Sequence, residues 1–282
     1  MNIRKASLTV TAVLGIAGVV ALALTGSACN KLKARNQLNT GVQSFKNAQY
    51  AEAVESFKKA VDLDPDLPSA RLYLATAYMQ QYIPGAESPE NLQMAQAARE
   101  HFMKVLEQVP NDSANGKVAL ASLASLYLNQ KQFDEAQKWN EKLIAVDPQN
   151  KEAYYSLGWI AWSKWYPAYG AARAELHMRQ EDPGPIKDKK VKEELKAKWD
   201  PVIQAGLQSL DKALQIDPEY EDAMAYENLL IRERADLVDT KEEYEKQIKV
   251  AEQWIEKNLA TRKAKAEKKA KESGGGITLD SK

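Results

Sequence analysis

The sequence predicts an all-α fold of about five helix pairs, two of them carrying insertions, and three observations lead there. Long stretches of the 282 residues are rich in Ala, Leu, Glu, Lys and Gln, residues that favour helix over strand. Four segments close on nearly the same phrase: AVDLDPD at 60–66, VLEQVPND at 105–112, LIAVDPQN at 143–150 and ALQIDPEY at 213–220. Upstream of each proline the spacing is constant, with Ala53, Phe57, Ala60 and Pro65 matched by Ala98, Phe102, Val105 and Pro110. Ala136, Asn140, Leu143 and Pro148 repeat it, as do Gly206, Leu210, Ala213 and Pro218. Four concordant registers point to an internal repeat.

The first 28 residues differ in composition from the rest. Arg4 and Lys5 form a positive start, Leu8 to Leu24 carry no charge, and Gly26, Ser27 and Ala28 are small, which is the layout of an export signal. The uncharged stretch is longer than a usual signal core of about 7–15 residues and shorter than the ~20 that span a bilayer comfortably. Gly26, Ser27, Ala28 and Cys29 resemble the lipobox of bacterial lipoprotein signals, whose cysteine becomes the acylated first residue; the family prefers Leu where this chain has Gly26. The resemblance implies lipid on Cys29, and two acyl chains anchor a protein stably where one is marginal. Asn30 follows, not the aspartate that resembles an inner-membrane retention signal, so the analogy favours the outer membrane of a bacterial envelope, facing the periplasm. Two further readings remain: ordinary cleavage releasing a soluble protein, and an uncleaved anchor. Residues 29–34 read as a short membrane-proximal linker.

The repeats occupy about residues 35–259. LNTGVQSF, RLYLATAY, LASLASLY and YYSLGWIA align on Gly41, Ala75, Ala124 and Gly158, and each opens a pair as its first helix. The small residue lies twelve positions before the first residue of the proline-ended quartet in units one and three. Insertions of 11 and 36 residues intervene in units two and four, at about 81–91 and 164–199. The small residues belong where paired helices cross, because a larger side chain would push the backbones apart. Each proline ends a second helix, and the aspartates at 64, 147 and 217 are expected to cap the helix that follows. In the fourth unit Pro167 interrupts an aromatic stretch, EDPGPIKD at 181–188 is a helix break, and Asp200 is expected to cap a helix opening at Pro201. Residues 219–259 read as a degenerate fifth pair, with Ala225, Leu229 and Ile231 lining one helix and Tyr244, Ile248, Ala251, Ile255 and Leu259 the other. Residues 260–282 read as a basic helix end and a disordered tail.

This pattern resembles the tetratricopeptide repeat, the 34-residue helix-turn-helix unit that runs W-x₂-L-G-x₂-Y, A-x₃-F, P. Tyr154, Leu157 and Gly158 fit its first half, and Ala53, Phe57 and Pro65 its second. The resemblance implies a right-handed helical solenoid with a concave face that takes a protein or peptide partner. It places Phe45, Leu72, Met79, Leu128, Tyr155, Trp159 and Trp162 on that face, with Leu38, Val42, Thr76, Ala121 and Ser125 beside them. The face is apolar and aromatic and lacks the basic and amide side chains that grip a C-terminal carboxylate. GWIAWSKWYPAYG places Trp159, Trp162, Trp165 and Tyr169 at helical spacing, as core or as an exposed anchor.

No catalytic motif stands out: there is no glycine-rich phosphate loop, G-x-S-x-G, H-E-x-x-H or C-x-x-C. One cysteine precludes an internal disulfide framework, and His101 and His177 are too few for most histidine metal sites, so no cofactor or metal is expected. Lys+Arg and Asp+Glu balance at 39 each, which gives no overall pull toward nucleic acid. The expected protein is a membrane-anchored, periplasm-facing scaffold for protein–protein interaction, as in envelope or secretion-complex assembly. The alternative is an envelope structural protein that contacts lipid or cell wall through its basic C-terminal helix and Trp-rich insertion. Intact-mass analysis of the exported chain is expected to show a start at Cys29 bearing acyl mass; an unmodified Cys29 or a retained Met1 overturns the lipid anchor.

Overall fold

The computed structural model describes residues 28–179 and 181–274. Among these there is helix and no strand, as the sequence predicts. The expected signal therefore lies outside the described residues up to position 27. The chain divides into two compact units, residues 1–131 and 132–282, and the division falls between the two helices of the third repeat.

The first unit holds α1 (residues 28–46), α2 (Tyr50–Leu63), α3 (Pro68–Gln81), α4 (Pro89–Gln108) and α5 (Ala114–Asn129). Residues 29–34, read from sequence as a linker, already belong to α1. Its core centres on Phe57, Leu74 and Ala77, with Leu38, Val42 and Phe45 of α1 resting against them. The second unit holds α6 (Phe133–Val146), α7 (Lys151–Glu175), α8 (Lys189–Ile216), α9 (Glu221–Arg234), a 3₁₀ turn (Ala235–Leu237) and α10 (Lys241–Gly274). Trp165, Ile186, Ile203, Leu210, Met224 and Leu230 form its core.

All twelve residues of the four quartets upstream of the prolines are buried, from Ala53 to Ala213. The helix crossings are as close as the sequence predicts. A Cβ on Gly41 would lie 2.5 Å from the Phe57 ring, and one on Gly158 would enter the Leu210 side chain. Ala75 and Ala124 are buried at the equivalent positions. Gly206 makes the reciprocal approach, where a Cβ would come within 2.5 Å of the Ala161 Cβ.

The aspartates do not cap the following helices. Asp64, Asp147 and Asp217 are the C-terminal caps of α2, α6 and α8, and their N–H groups donate to Ala60, Leu143 and Ala213. The next proline forces each into extended backbone, at ψ of 86°, 73° and 96° respectively. The Asp carbonyls then accept from Leu67, Asn150 and Tyr220, closing a turn that puts those residues at the start of the next helix. Of these three, only Asn150 caps through its side chain, accepting from Ala153 N at 3.0 Å.

Neither insertion forms a separate lobe. The first is divided between the turn at 82–88 and an N-terminal extension of α4, where Asn91 holds the turn by donating to the carbonyls of Ile83 and Ala86. The second lengthens both helices of its pair, so α7 has 25 residues and α8 has 28, against 14 in α2 or α6. Only residues 176–188 remain as the connection. Pro167 does not interrupt α7, and Pro201 does not open a helix but lies inside α8, so Asp200 is no cap; it accepts from Arg234 Nε at 2.8 Å. An interior proline costs about 3 kcal/mol, yet both rings lie on exposed faces and the flanking turns of α7 and α8 pack on one another. Lys151 and Asp217, 2.6 Å apart, tie the start of α7 to the end of α8.

The fifth pair departs from its sequence reading. The buried face of α9 carries Ala223, Met224, Glu227, Asn228, Leu230 and Glu233, while Ala225, Leu229 and Ile231 are half-buried. Along α10 only Ala251 of the expected stripe is buried, and Ile255 and Leu259 are exposed. Polar side chains complete the pair: Asn228 Nδ2 donates to the Ala251 carbonyl and Asn258 Nδ2 to that of Glu221, each at 2.6 Å.

Two glycines of α7 give opposite expectations. Gly158→Ala is expected to destabilise by about 1–3 kcal/mol through overpacking against Leu210. Gly170→Ala, where a Cβ would meet nothing within 4 Å, is expected to stabilise by about 0.5–1 kcal/mol through helix propensity. All six tryptophans lie beyond residue 131, so urea unfolding followed by tryptophan fluorescence reads the second unit directly.

Candidate functional site

Two places merit description, each within one unit. The first is the set of first-helix side chains assigned to a concave face. In the first unit Phe45, Leu72, Met79 and Leu128 are all half-buried, so they flank the core and keep part of their apolar surface in water. Thr76 turns inward on its own helix, its hydroxyl donating to the Leu72 carbonyl at 2.9 Å, and Ala121 is exposed. In the second unit the corresponding residues are more committed. Tyr155 lies against the rings of Tyr220 and Tyr226, with centroids 5.2 and 5.8 Å away. Trp162 meets Tyr226 edge-on at 5.3 Å and donates from Nε1 to Glu233 Oε1 at 3.0 Å. Trp159 meets Phe133 edge-on at 5.8 Å. The aromatic stretch is therefore mainly core: Trp165 has no exposed surface, while Tyr166 keeps an exposed ring.

The second place was not read from the sequence. It is a pocket of about 350 Å³ where the extension of α7 meets Met178, Glu181 and Asp182, the end of α9 and the start of α10. A buried ion pair builds its floor. Asp236 Oδ2 accepts from Tyr169 Oη at 2.9 Å and from Arg173 Nη1, and both charged residues are almost fully enclosed. Arg173 Nη2 donates to the carbonyls of Arg179 at 2.6 Å and Asp182 at 2.7 Å, which shapes the connection, and Ile186 N donates to the Asp236 carbonyl at 2.9 Å. Breaking one partner of such a pair costs about 3–5 kcal/mol because the other charge stays buried.

Glu233 forms one wall. Trp162 serves its Oε1. Trp165 Nε1 interacts with the same carboxyl but falls outside hydrogen-bond geometry, so that N–H and Glu233 Oε2 both lack a bonded partner. Burial pushes the Glu233 carboxyl up to about 7, against the pull of the two indoles. Glu227, one turn and a half earlier on the same buried face, is pushed to about 8 by burial and by Asp211. In the first unit, burial lowers His101 to about 4 as its ring stacks on Tyr78. Among the described residues no group of three or more His, Cys, Asp or Glu side chains converges as metal ligands. No helix among them is long and apolar enough to cross a membrane.

Arg173, Glu233 and Asp236 had one legible signal. Glu227 and Glu233 occupy the apolar phase of α9 marked by Ala223, Met224 and Leu230, and a charged residue on a buried stripe needs a partner.

Comparison with known proteins agrees with the repeat architecture. Family models described as "TPR repeat" and "Tetratricopeptide repeat" match residues 43–81 and 92–158. A crystal structure of the MamA protein is 15% identical, with a TM-score of 0.55 over 88% of this chain and 98% of that one. A MamA structure from Desulfovibrio magneticus RS-1, residues 41 to the end, is 18% identical with the same TM-score over 82% of this chain and 96% of that one. At such identities the likeness concerns fold alone. No curated protein matches the chain.

Glu233 gives the second unit a pH dependence with a definite sign. Its folded pKa lies above the unfolded value near 4.5, so its contribution is complete below about 4.5 and is lost as pH rises through about 7. Glu233→Gln is therefore expected to gain on the order of 2–3 kcal/mol relative to the parent between pH 5 and pH 8. The difference in urea midpoint between the two chains, followed by tryptophan fluorescence, reads this, and a pH-independent difference contradicts it.

Proposed function

We propose that this chain, which carries tetratricopeptide repeats, is a non-enzymatic scaffold that binds a protein or peptide through the first helices of its repeats. The observation that supports the reading is that Phe45, Met79 and Leu128 recur four residues after the small crossing residue of three successive first helices, with Leu72 beside Met79 on α3. All four stay half-buried and apolar. A repeat that keeps such a surface open provides area for a partner's apolar side chains at little cost in its own stability. We place the scaffold in a bacterial envelope, facing the periplasm and held by lipid on Cys29. Cys29 is exposed on α1, so an acyl group there would meet no obstruction from the described residues. With no linker before α1, the first repeat would lie close to the bilayer.

The envelope-contact alternative retains only part of its basis. Trp165 is buried and Trp162 donates to Glu233, which commits part of the Trp-rich stretch to the fold, while Tyr166 keeps an exposed ring. The basic end of α10 remains exposed, although Arg262 and Lys265 reach back to Glu221 at 3.6 and 3.2 Å.

Site-specific photo-crosslinking in the native envelope tests the scaffold. Probes at Phe45, Leu72 or Met79 are expected to give discrete protein adducts, and a probe at exposed Lys59 on α2 is not. Equal labelling from both sets removes the first-helix surface from consideration.

A further inference from the structure

The pocket over Arg173 and Asp236 has features that the scaffold reading does not use. Its walls combine three phenol rings, Tyr166, Tyr169 and Tyr244, with the aliphatic side chains of Met178 and Leu229. Four carboxylates line it, and three are engaged. Asp236 holds Arg173 and Tyr169, while Glu181 and Asp182 pair with Arg179 at 3.3 and 2.8 Å. The fourth, Glu233, is 6% exposed and keeps Oε2 without a hydrogen-bond partner. An enclosed carboxyl with an unmet acceptor is costly unless something completes it. Gly170 forms part of the lining, and a Cβ there would meet nothing within 4 Å, so this position has free space that a larger side chain can occupy.

We infer that this pocket binds an organic cation on an aliphatic stem, of the alkylammonium class that lysine side chains and free polyamines share. The stem would run over Met178 and Leu229, as long basic side chains do on apolar surface. The cation would meet the tyrosine rings and the carboxyl of Glu233, whose enclosed Oε2 lacks a hydrogen-bond partner, so that attraction to a ring and a charge-assisted hydrogen bond act together. An anion would face Glu233 and gain nothing from Arg173, whose charge Asp236 already meets. Arg232 also lines the pocket and opposes a cation, which predicts the sign of its own substitution. The site is separate from the repeat face carrying Phe45 and Met79, so either reading can fail without the other.

The test is titration of the ¹⁵N-labelled full chain, following the indole N–H signals of Trp162 and Trp165, with four probes: Nα-acetyl-lysine amide, putrescine, Nα-acetyl-norleucine amide and Nα-acetyl-glutamate amide. Lysine amide and putrescine are expected to give saturable shifts, and the norleucine and glutamate probes none. Tighter binding of lysine amide assigns the site to a polypeptide side chain; tighter binding of putrescine assigns it to a free polyamine. Gly170→Leu, which fills open space without a clash, and Glu233→Gln are each expected to weaken the cationic probes at least tenfold. Arg232→Ala is expected to tighten them several-fold. The proposal is overturned if no probe shifts the indoles, if norleucine amide binds as well as lysine amide, if the glutamate probe binds, or if Gly170→Leu leaves binding unchanged.

Discussion

The close crossing of paired helices is the constraint on which both units rest. At Gly41 and Gly158 the partner helix supplies Phe57 and Leu210 to the space a side chain would occupy, so a partner side chain packs directly on the backbone of the first helix. That approach fixes which residues are enclosed: the quartets before each proline are buried because the crossing brings them under the first helix. Proline then sets the length of the second helix by forcing the preceding residue into extended backbone. Crossing and stop together give each pair its register, and the register repeats even where the sequence between the helices has grown.

Growth in the fourth pair shows how such a fold accommodates inserted chain. Lengthening α7 and α8 together lets added turns pack on each other, so the extra residues bring their own apolar partners, Trp165 with Ile203 and Leu195 among them. The far end of this hairpin must be tied to the end of α9 and the start of α10, which line one pocket with it. A polar network takes that role: Arg173 gathers two carbonyls of the connection and the Asp236 carboxylate, and Asp236 in turn receives Tyr169. Connection, α7 and the end of α9 are thereby held around one enclosed charge pair. Removing either partner would leave the other charge buried and unpaired, so the three elements stay joined only while both are present.

The same enclosure explains the displaced acidities. Glu227 and Glu233 lie on the face of α9 turned toward the core, where burial disfavours the charged form and only indole N–H groups or none compensate. Such groups keep a helix less than optimally stable near neutral pH.

Local physics wrote much of the protein into the sequence. Helix content, four of the pairs, the small crossing residues, the proline stops and the break at 181–188 all follow from short-range rules: propensity, the missing proline N–H and the space a Cβ needs. The first-helix positions Phe45, Leu72, Met79 and Leu128 followed from the resemblance to the repeat. What tertiary structure alone decided were matters of partnership. Pro167 and Pro201 look like helix ends in isolation, and only packing of α7 along α8 carries both helices through them. The aspartates look like caps for the next helix until the turn closes on their carbonyls. Glu233, Arg173 and Asp236 are up to 63 positions apart, and no local rule joins an arginine on one helix to an aspartate three elements later. Their meeting depends on where the lengthened hairpin ends, and that is set by the fold as a whole.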